Sequence, residues 1–508
     1  MSAGPGVHTQ HVDLPIRHQI IDPGAPRPCA DALTSAAILA PGRNFWRIAE
    51  AERAAVLVDG ARYFACLDEV LRMARRSIFV IGWDFDGRIR LRPEAGEHGL
   101  PLGEMLHGLA EAQPELEIRI LVWSIATLHG PSEARPLLLG AGWQKHPRIQ
   151  LRLDTEHPIY GAHHQKIVCI DDQLAFAGGI DLTVHRWDTT RHDAEDPARQ
   201  SPGGSGYGPV HDLQMVVDGA AARALSDLAH ARWRHATGEA VPPARSERKL
   251  WPSDQQPDFR GVPVAIARTA PWWGSHAALH EGAALAMDAL SSARDTIYIE
   301  AQYLVDFPLG DLLGGHLADP DGPEIVIVAG QGLPGVFERF AMGSNRDRLI
   351  RRMKRADRFD RLRVCYPVVP APEGEREVLI HSKLIIVDDR LLRVGSSNIS
   401  NRSVGLDTEC DLAIEARNET ERRAIARLRD RLLGEHLDIG PDEVAGAVAA
   451  EGSLVRAVDG LNRGRRGLRA FAALATPGPT RPIFGTRLLD PRKPFEPLWF
   501  LRRRRRRP

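Results

Sequence analysis

At 508 residues the chain is longer than one ordinary domain, so two or three are expected, with ample length for a sizeable core. A hydrophobic fraction of 43% and a charged fraction of 26% are those of a soluble globular protein, and no run of about 18 apolar residues offers a membrane-spanning helix. Lys plus Arg and Asp plus Glu both number 66, a neutral balance that speaks against a dedicated nucleic-acid binder.

The first residues carry no basic region followed by an apolar stretch, so no cleaved secretory leader is expected. A cytoplasmic or membrane-peripheral location follows, with export by another route left open. Residues 1–44 are rich in Pro and Gly and read as an extended arm. Residues 61–74 then show helical periodicity, with Ala65, Leu67, Val70 and Leu71 on one side. Ser77–Trp83 and Leu116–Trp123 read as buried strands. Thr189–Pro209 is long and polar, which suits a lid or binding loop, or a disordered insertion. A helix over 220–236 closes this first region at about residue 245, and a proline-rich linker spans 246–262.

The order then repeats. Val70–Val80 aligns with Ala289–Ile299 at an offset of 219, and Leu116–Val122 has its counterpart in Glu324–Ala329. Two similar α/β domains, 45–245 and 263–440, are expected from duplication. Five cysteines (Cys29, Cys66, Cys169, Cys365 and Cys410) are too scattered for a disulfide framework or a zinc site, and read as buried thiols in a reducing compartment. The last segment, 441–508, is basic. From Glu451 onward it holds fifteen Arg or Lys against four Asp or Glu, and it ends in Arg502–Arg507. That run can hold anionic headgroups, bind nucleic acid or stay solvated.

The chemistry lies in a doubled pattern, His164-x-Lys166-x4-Asp171 and His381-x-Lys383-x4-Asp388, each copy followed by a glycine turn. The copies are 217 residues apart, close to the offset of the flanking segments. In a strand, residues i and i+2 share a face, so each His and Lys project together. The residues that follow, Ile167–Ile170 and Leu384–Val387, are apolar and fit central buried strands. A two-fold-like interface would bring both copies to one phosphate. Two ammonium groups would neutralise the non-bridging oxygens. One neutral imidazole would attack phosphorus and the other, protonated, would serve the leaving alkoxide, each titrating near 6.5 if unperturbed. The turns Gly178-Gly179-Ile180-Asp181 and Gly395-Ser396-Ser397-Asn398 would let backbone N–H groups approach the site. Asp171 and Asp388 read as braces, and His163 as structural because it faces away from His164.

These residues resemble the phospholipase D superfamily, over roughly residues 45–440. The likeness extends to Arg186-Trp187-Asp188, His211-Asp212, Ile299-Glu300-Ala301-Gln302-Tyr303, Asn401-Arg402-Ser403 and Asp407-Thr408-Glu409. Ala301 departs from the Asn expected there, and Asp181 stands where many members have Asn. The resemblance implies two phospholipase D-like domains, each a mixed sheet flanked by helices, related by a pseudo-two-fold with one site between them. It implies His164 as nucleophile, His381 as acid and base, and Asp212 and Glu409 as the acids that orient them. Gly178, Gly179, Ser396 and Asn398 are supporting residues. No cofactor and no metal are implied for the reaction. The expected partners are a phospholipid, phosphatidylcholine foremost, and a membrane surface, with no nucleic acid. A monomer with an internal pseudo-dimer is expected. The activity implied is hydrolysis to phosphatidic acid and a free alcohol, with headgroup exchange. A cardiolipin-type synthase and a nucleic-acid phosphodiesterase are the alternatives.

Overall fold

Apolar strands that alternate their side chains between two buried faces set the architecture. In the computed structural model, β1 (Arg47–Val58) leads into α1 (Asp59–Met73) and β2 (Ser77–Gly82). The model describes residues 37–124, 140–244, 246, 248–274, 276–332, 342–486 and 490–494. Most of the N-terminal arm and the Arg502–Arg507 run therefore lie outside the described residues. The described residues from Ile38 onward form one compact unit. In α1 the inward side chains are Tyr63, Phe64, Cys66, Leu67, Val70 and Leu71; Ala65, expected among them, is only half-buried.

β2 runs parallel to β3 (Glu117–Trp123), which runs parallel to β4 (Ile149–Asp154). On its other edge β2 is antiparallel to β5 (Ile167–Ile170), followed by β6 (Leu174–Gly178) and β7 (Leu213–Asp218), each antiparallel to the last. Helix α2 (Gly219–Thr237) and β8 (Phe259–Ala270) come next. After α3 (Glu281–Ser291) the same succession returns. β9 (Thr296–Ala301) is parallel to β10 (Glu324–Ala329), which is parallel to β11 (Leu362–Ala371). β9 is antiparallel to β12 (Lys383–Val387), followed by β13 (Leu391–Gly395) and β14 (Glu409–Glu415). β7 closes on β1 and β14 on β8, and β1 and β8 pair with each other from Arg47↔Ile266 to Ala54↔Phe259. The two mixed sheets are thus continuous through β1 and β8.

Period-two alternation decides the cores. Ile167 and Cys169 of β5 and Leu384 and Ile386 of β12 point into one shared cluster, together with Trp233 of α2 and Leu432 of α4 (Glu419–Leu437). Val168 and Ile170 point instead to the outer core of the first sheet, and Ile385 and Val387 to that of the second. The basic C-terminal stretch contributes structure too. Helices Pro441–Glu451 and Leu454–Leu461 bury Val444 and Leu454 in the shared cluster, and Gly467–Ala470 pairs with β11. Among the described residues, no helix is long and apolar enough to cross a membrane. Cys66, Cys169, Cys365 and Cys410 are buried free thiols.

Thr189–Pro209 is a fixed loop and not a disordered insertion. Asp188 anchors it by accepting from Thr189 N (2.8 Å), Arg199 Nη1 (2.9 Å), His192 Nδ1 (2.8 Å) and Val210 N (2.8 Å).

Asp171 and Asp388 sit just beyond β5 and β12 with φ of 50° and 53°, a left-handed turn that Asp tolerates. The Asp171 carboxylate accepts N–H bonds from Arg75 (3.0 Å), Arg76 (2.7 Å) and Ser77 (2.9 Å), which ties the turn to the start of β2. Asp388 does the same for Arg294, Asp295 and Thr296 at 2.8–2.9 Å. Asp171→Ala strands these donors around a fully buried carboxylate position, and should lower unfolding free energy by about 2–4 kcal/mol. Denaturant melts would register this as a lower midpoint; an unchanged midpoint would refute the bracing role.

Candidate active site

The two His-x-Lys segments lie at the entrances to β5 and β12, where the halves meet. In the first copy the strand begins only at Ile167, so His164 and Lys166 stand just ahead of it. The His164 N–H donates to the Thr408 carbonyl (3.0 Å), and the His381 N–H donates to the His211 carbonyl (2.8 Å). Leu379–Ile380 pairs in parallel with Val210–His211, and His163 bridges to Thr408 in the same sense. Each histidine segment is therefore stitched to the other half.

The side chains cross in the same way. His164 Nδ1 lies 2.9 Å from Glu409 Oε2, and His381 Nδ1 lies 2.6 Å from Asp212 Oδ2. Asp212 and Glu409 hold matching places, since Gly178 pairs with Gln214 and Gly395 with Asp411. With Nδ1 engaged, Nε2 is the nitrogen each ring can offer to a substrate. Ser396 Oγ (2.6 Å) and Ser403 Oγ (2.7 Å) both donate to Glu409. His163 is fully buried and turns instead toward Thr408 Oγ1, 2.8 Å away.

The lysines differ. Lys166 Nζ pairs with Asp181 Oδ2 at 3.1 Å and donates to the His164 carbonyl. Lys383 Nζ instead donates to the neutral Gln302 Oε1 (2.9 Å) and to the His381 carbonyl, and stands 3.1 Å from His381 Nδ1. Asn398, the counterpart of Asp181, uses its backbone N–H on Ser403 Oγ (3.0 Å), and its buried Oδ1 has no hydrogen-bond partner. Gln302 thus takes the role on Lys383 that Asp181 takes on Lys166.

Burial and neighbouring charges shift both histidines, Lys383, Asp212 and Glu409. Burial first, then Lys166 and Lys383, holds His164 well below its usual range. Burial, Lys383, Arg186, Lys166 and His164 do the same to His381. Both imidazoles are therefore held toward the neutral form, below the unperturbed value near 6.5. Burial brings Lys383 down to about 7 against the opposing pull of Asp212. Burial pushes Glu409 up to about 8 and Asp212 up to about 6. Arg186 was legible only as part of a resemblance. It is a third cation of this site, buried, with Nε lacking a hydrogen-bond partner.

The glycine turns work differently from expectation. The N–H groups of Gly179 and Ser396 donate to the carbonyls of Leu213 and Cys410, and those of Ile180 and Ser397 to Gln214 and Asp411 side chains. They are used by the sheet and are not offered to a ligand. The glycines instead make room for the acids. A Cβ on Gly179 would lie 2.1 Å from Asp212 Oδ1, and one on Gly178 2.5 Å from the Leu213 carbonyl. Asp171 and Asp388 stand at the far ends of β5 and β12, away from the reacting groups.

Residues 286–430 match the family model described as the cardiolipin synthase, phospholipase D-like domain. Phospholipase D1 of Saccharomyces cerevisiae is 24% identical over 496 residues, covering 76% of this chain and 29% of that protein. Phospholipase D2 of Bos taurus is 22% identical over 70% of this chain and 48% of that protein. A cardiolipin synthase of Halalkalibacterium halodurans is 25% identical over 70% of this chain and 61% of its own length. This chain spans less than half the length of both phospholipases D. The crystal structure of a phosphatidylserine synthase from Haemophilus influenzae shares the fold, with a TM-score of 0.53 and 13% identity over 75% of this chain and 86% of that one. Together with the paired His and Lys motifs meeting between two mixed sheets, these matches support the phospholipase D superfamily.

Two outcomes follow from this geometry. Gly179→Ala should push Asp212 off His381 and cut turnover on the order of 10²-fold, the usual cost of an ångström-scale misplacement; full activity would show that the Asp212 contact is dispensable. The second concerns Lys383. Its ammonium form prevails below pH 7 and is lost above it, while a bound oxyanion favours that form. Tungstate affinity should therefore fall by up to about tenfold per pH unit above 7, with proton uptake on binding, as read by calorimetry in buffers of different ionisation enthalpy. A flat affinity from pH 6 to 9 would contradict the assignment.

Proposed function

We propose that this chain cleaves the distal phosphodiester of glycerophospholipids, phosphatidylcholine foremost, through a covalent phosphohistidine. The observation that carries this reading is the crossed pair: a half-buried His164 imidazole and a buried His381 imidazole, each held through Nδ1 by a carboxylate of the other half, with Lys166, Lys383 and Arg186 beside them. Such a site attracts one monoanionic phosphodiester and offers it two Nε2 atoms.

In the first step His164 Nε2 attacks phosphorus, the bond to the headgroup oxygen breaks, and His381 gives that oxygen its proton. The arriving anion favours protonation of His381, which burial and the neighbouring cations otherwise disfavour. In the second step His381 takes a proton from water or an alcohol, whose oxygen attacks phosphorus and displaces His164. Water gives phosphatidic acid and an alcohol gives an exchanged lipid. The choice of His164 as nucleophile rests on the family resemblance. Docking on a membrane surface, helped by the basic end of the chain, completes the reading.

A second reading is a synthase that uses a lipid alcohol as acceptor. The match of residues 286–430 to a model described by cardiolipin synthase favours it.

One assay separates these readings. With phosphatidylcholine vesicles, choline release is expected, and phosphatidylglycerol alone should yield glycerol and phosphatidic acid. Diphosphatidylglycerol as the main product would favour the synthase. Cleavage of DNA with no turnover of any phospholipid would overturn both. His164→Ala should lower turnover by at least about 10⁴-fold, as removal of a nucleophile does. His381→Ala should trap phosphorus on His164, and trapping on His381 in His164→Ala would reverse the two roles.

A further inference from the structure

Behind the catalytic pairs lies a second cluster that the reaction does not use. Asp59 at the start of α1, His192 in the fixed loop, His211 ahead of β7 and Glu435 in α4 converge from four parts of the chain. Asp59 and His211 are at 0% exposure and His192 is at 1%, while Glu435 is half-buried as a residue with its side chain at 5%. His192 Nε2 is 3.0 Å from Glu435 Oε1 and 3.5 Å from Asp59 Oδ2. His211 Nδ1 is 2.8 Å from Glu435 Oε1 and 3.1 Å from Asp59 Oδ1.

We propose that these four side chains form a binding site for a four-coordinate divalent cation of the zinc type, structural in role and separate from phosphoryl transfer. Three observations support it. The donor set is two imidazoles and two carboxylates. Tetrahedral bonds of 2.0–2.1 Å give donor–donor edges of about 3.3 Å, and the histidine–carboxylate separations of 2.8–3.5 Å, with Asp59 facing His211 through Oδ1 and His192 through Oδ2, bracket that value.

The second observation is orientation. The ring nitrogen of each histidine that faces away from the centre is held by a further carboxylate: His192 Nδ1 by Asp188 Oδ2 (2.8 Å) and His211 Nε2 by Glu300 Oε2 (2.9 Å). A carboxylate–histidine pair of this kind fixes the tautomer and aims the other nitrogen at a metal. Glu300 is itself engaged by Tyr298, Ser382 and His436, which suits it to an outer position.

The third is an unmet need and a path. Asp59 Oδ2 is buried, faces the centre and has no hydrogen-bond partner. A cleft of about 800 Å³, lined by Thr189, Gln255 and Arg431 among others, reaches Asp59 and Glu435 from outside.

The ion would join the fixed loop and α4 of the second half to the strand that carries Asp212. The Asp59 N–H already donates to the Asp212 carbonyl (2.9 Å), and the His211 carbonyl receives the His381 N–H.

The test is metal content and stability of the purified chain. After chelation, dialysis against Zn²⁺ and gel filtration, one equivalent per chain is expected by elemental analysis, with a rise in melting temperature. Co²⁺ should give the visible absorption of a four-coordinate site. His164→Ala should bind as the parent does, because His164 is not a ligand. Asp188→Asn should weaken binding about 10–100-fold through the outer contact. Glu435→Gln and His192→Ala should abolish stoichiometric binding and the thermal shift. Substoichiometric metal with no thermal shift in the parent would overturn the proposal and leave a proton-shared ionic network. Equal binding by Glu435→Gln would overturn it as well, by placing the ion elsewhere. Should His192→Ala fail to fold, the near-isosteric Glu435→Gln decides.

Discussion

Each motif histidine is completed by an acid from the other half of the chain, and most of the structure follows from that crossing. His164 needs Glu409 and His381 needs Asp212. A buried imidazole facing a buried carboxylate is costly when either lacks its partner. Separated halves would each leave one acid and one histidine unpaired, so the docked arrangement is the one that satisfies both. The backbone repeats the same logic through the Thr408 and His211 carbonyls. The shared apolar cluster supplies adhesion between the halves, while the crossed polar bonds supply register. A slip of one residue at either entrance would point His and Lys away from the site together.

The two His-x-Lys segments differ in what their lysines face. Lys166 faces a carboxylate and Lys383 faces an amide. An ammonium already paired with Asp181 has little to gain from a phosphate. Lys383, held at about 7 by burial, gains a full charge partner when an anion arrives. The depressed imidazoles belong to the same picture: burial first, and then the neighbouring lysines, disfavour further positive charge there.

Local periodicity made much of this legible. Buried runs such as Ser77–Gly82 and Glu324–Ala329 are strands because apolar β-branched residues fill both faces, and the His-x-Lys pairs stood out against them. The family and its mixed α/β fold were likewise readable from motif context. The crossing was not, because its partners lie 169 to 245 residues apart and no local pattern encodes which half supplies which acid. Gln302 was hidden for the same reason: it substitutes functionally for Asp181 from a different place in the repeat. The glycine turns misled because glycine has two uses, exposing N–H groups and admitting a close neighbour. The sequence cannot separate them, and here the neighbour Asp212 decides. The buried cluster of Asp59, His192, His211 and Glu435 was invisible because none of its members shares a motif.

The loop that follows the first motif can be placed by the same accounting. A lid must open at a cost of a few kcal/mol, which requires few buried polar bonds at its base. Asp188 alone accepts four bonds that tether the loop at both ends and at its middle, and Arg199 and His192 are buried within it. Opening would strip a buried carboxylate of an arginine and a histidine at once, which is the expensive way to break a buried ionic group. The loop is better understood as a wall. Its His192 points inward to the cluster beneath Asp212, so its rigidity is passed to the strand that holds His381 in place.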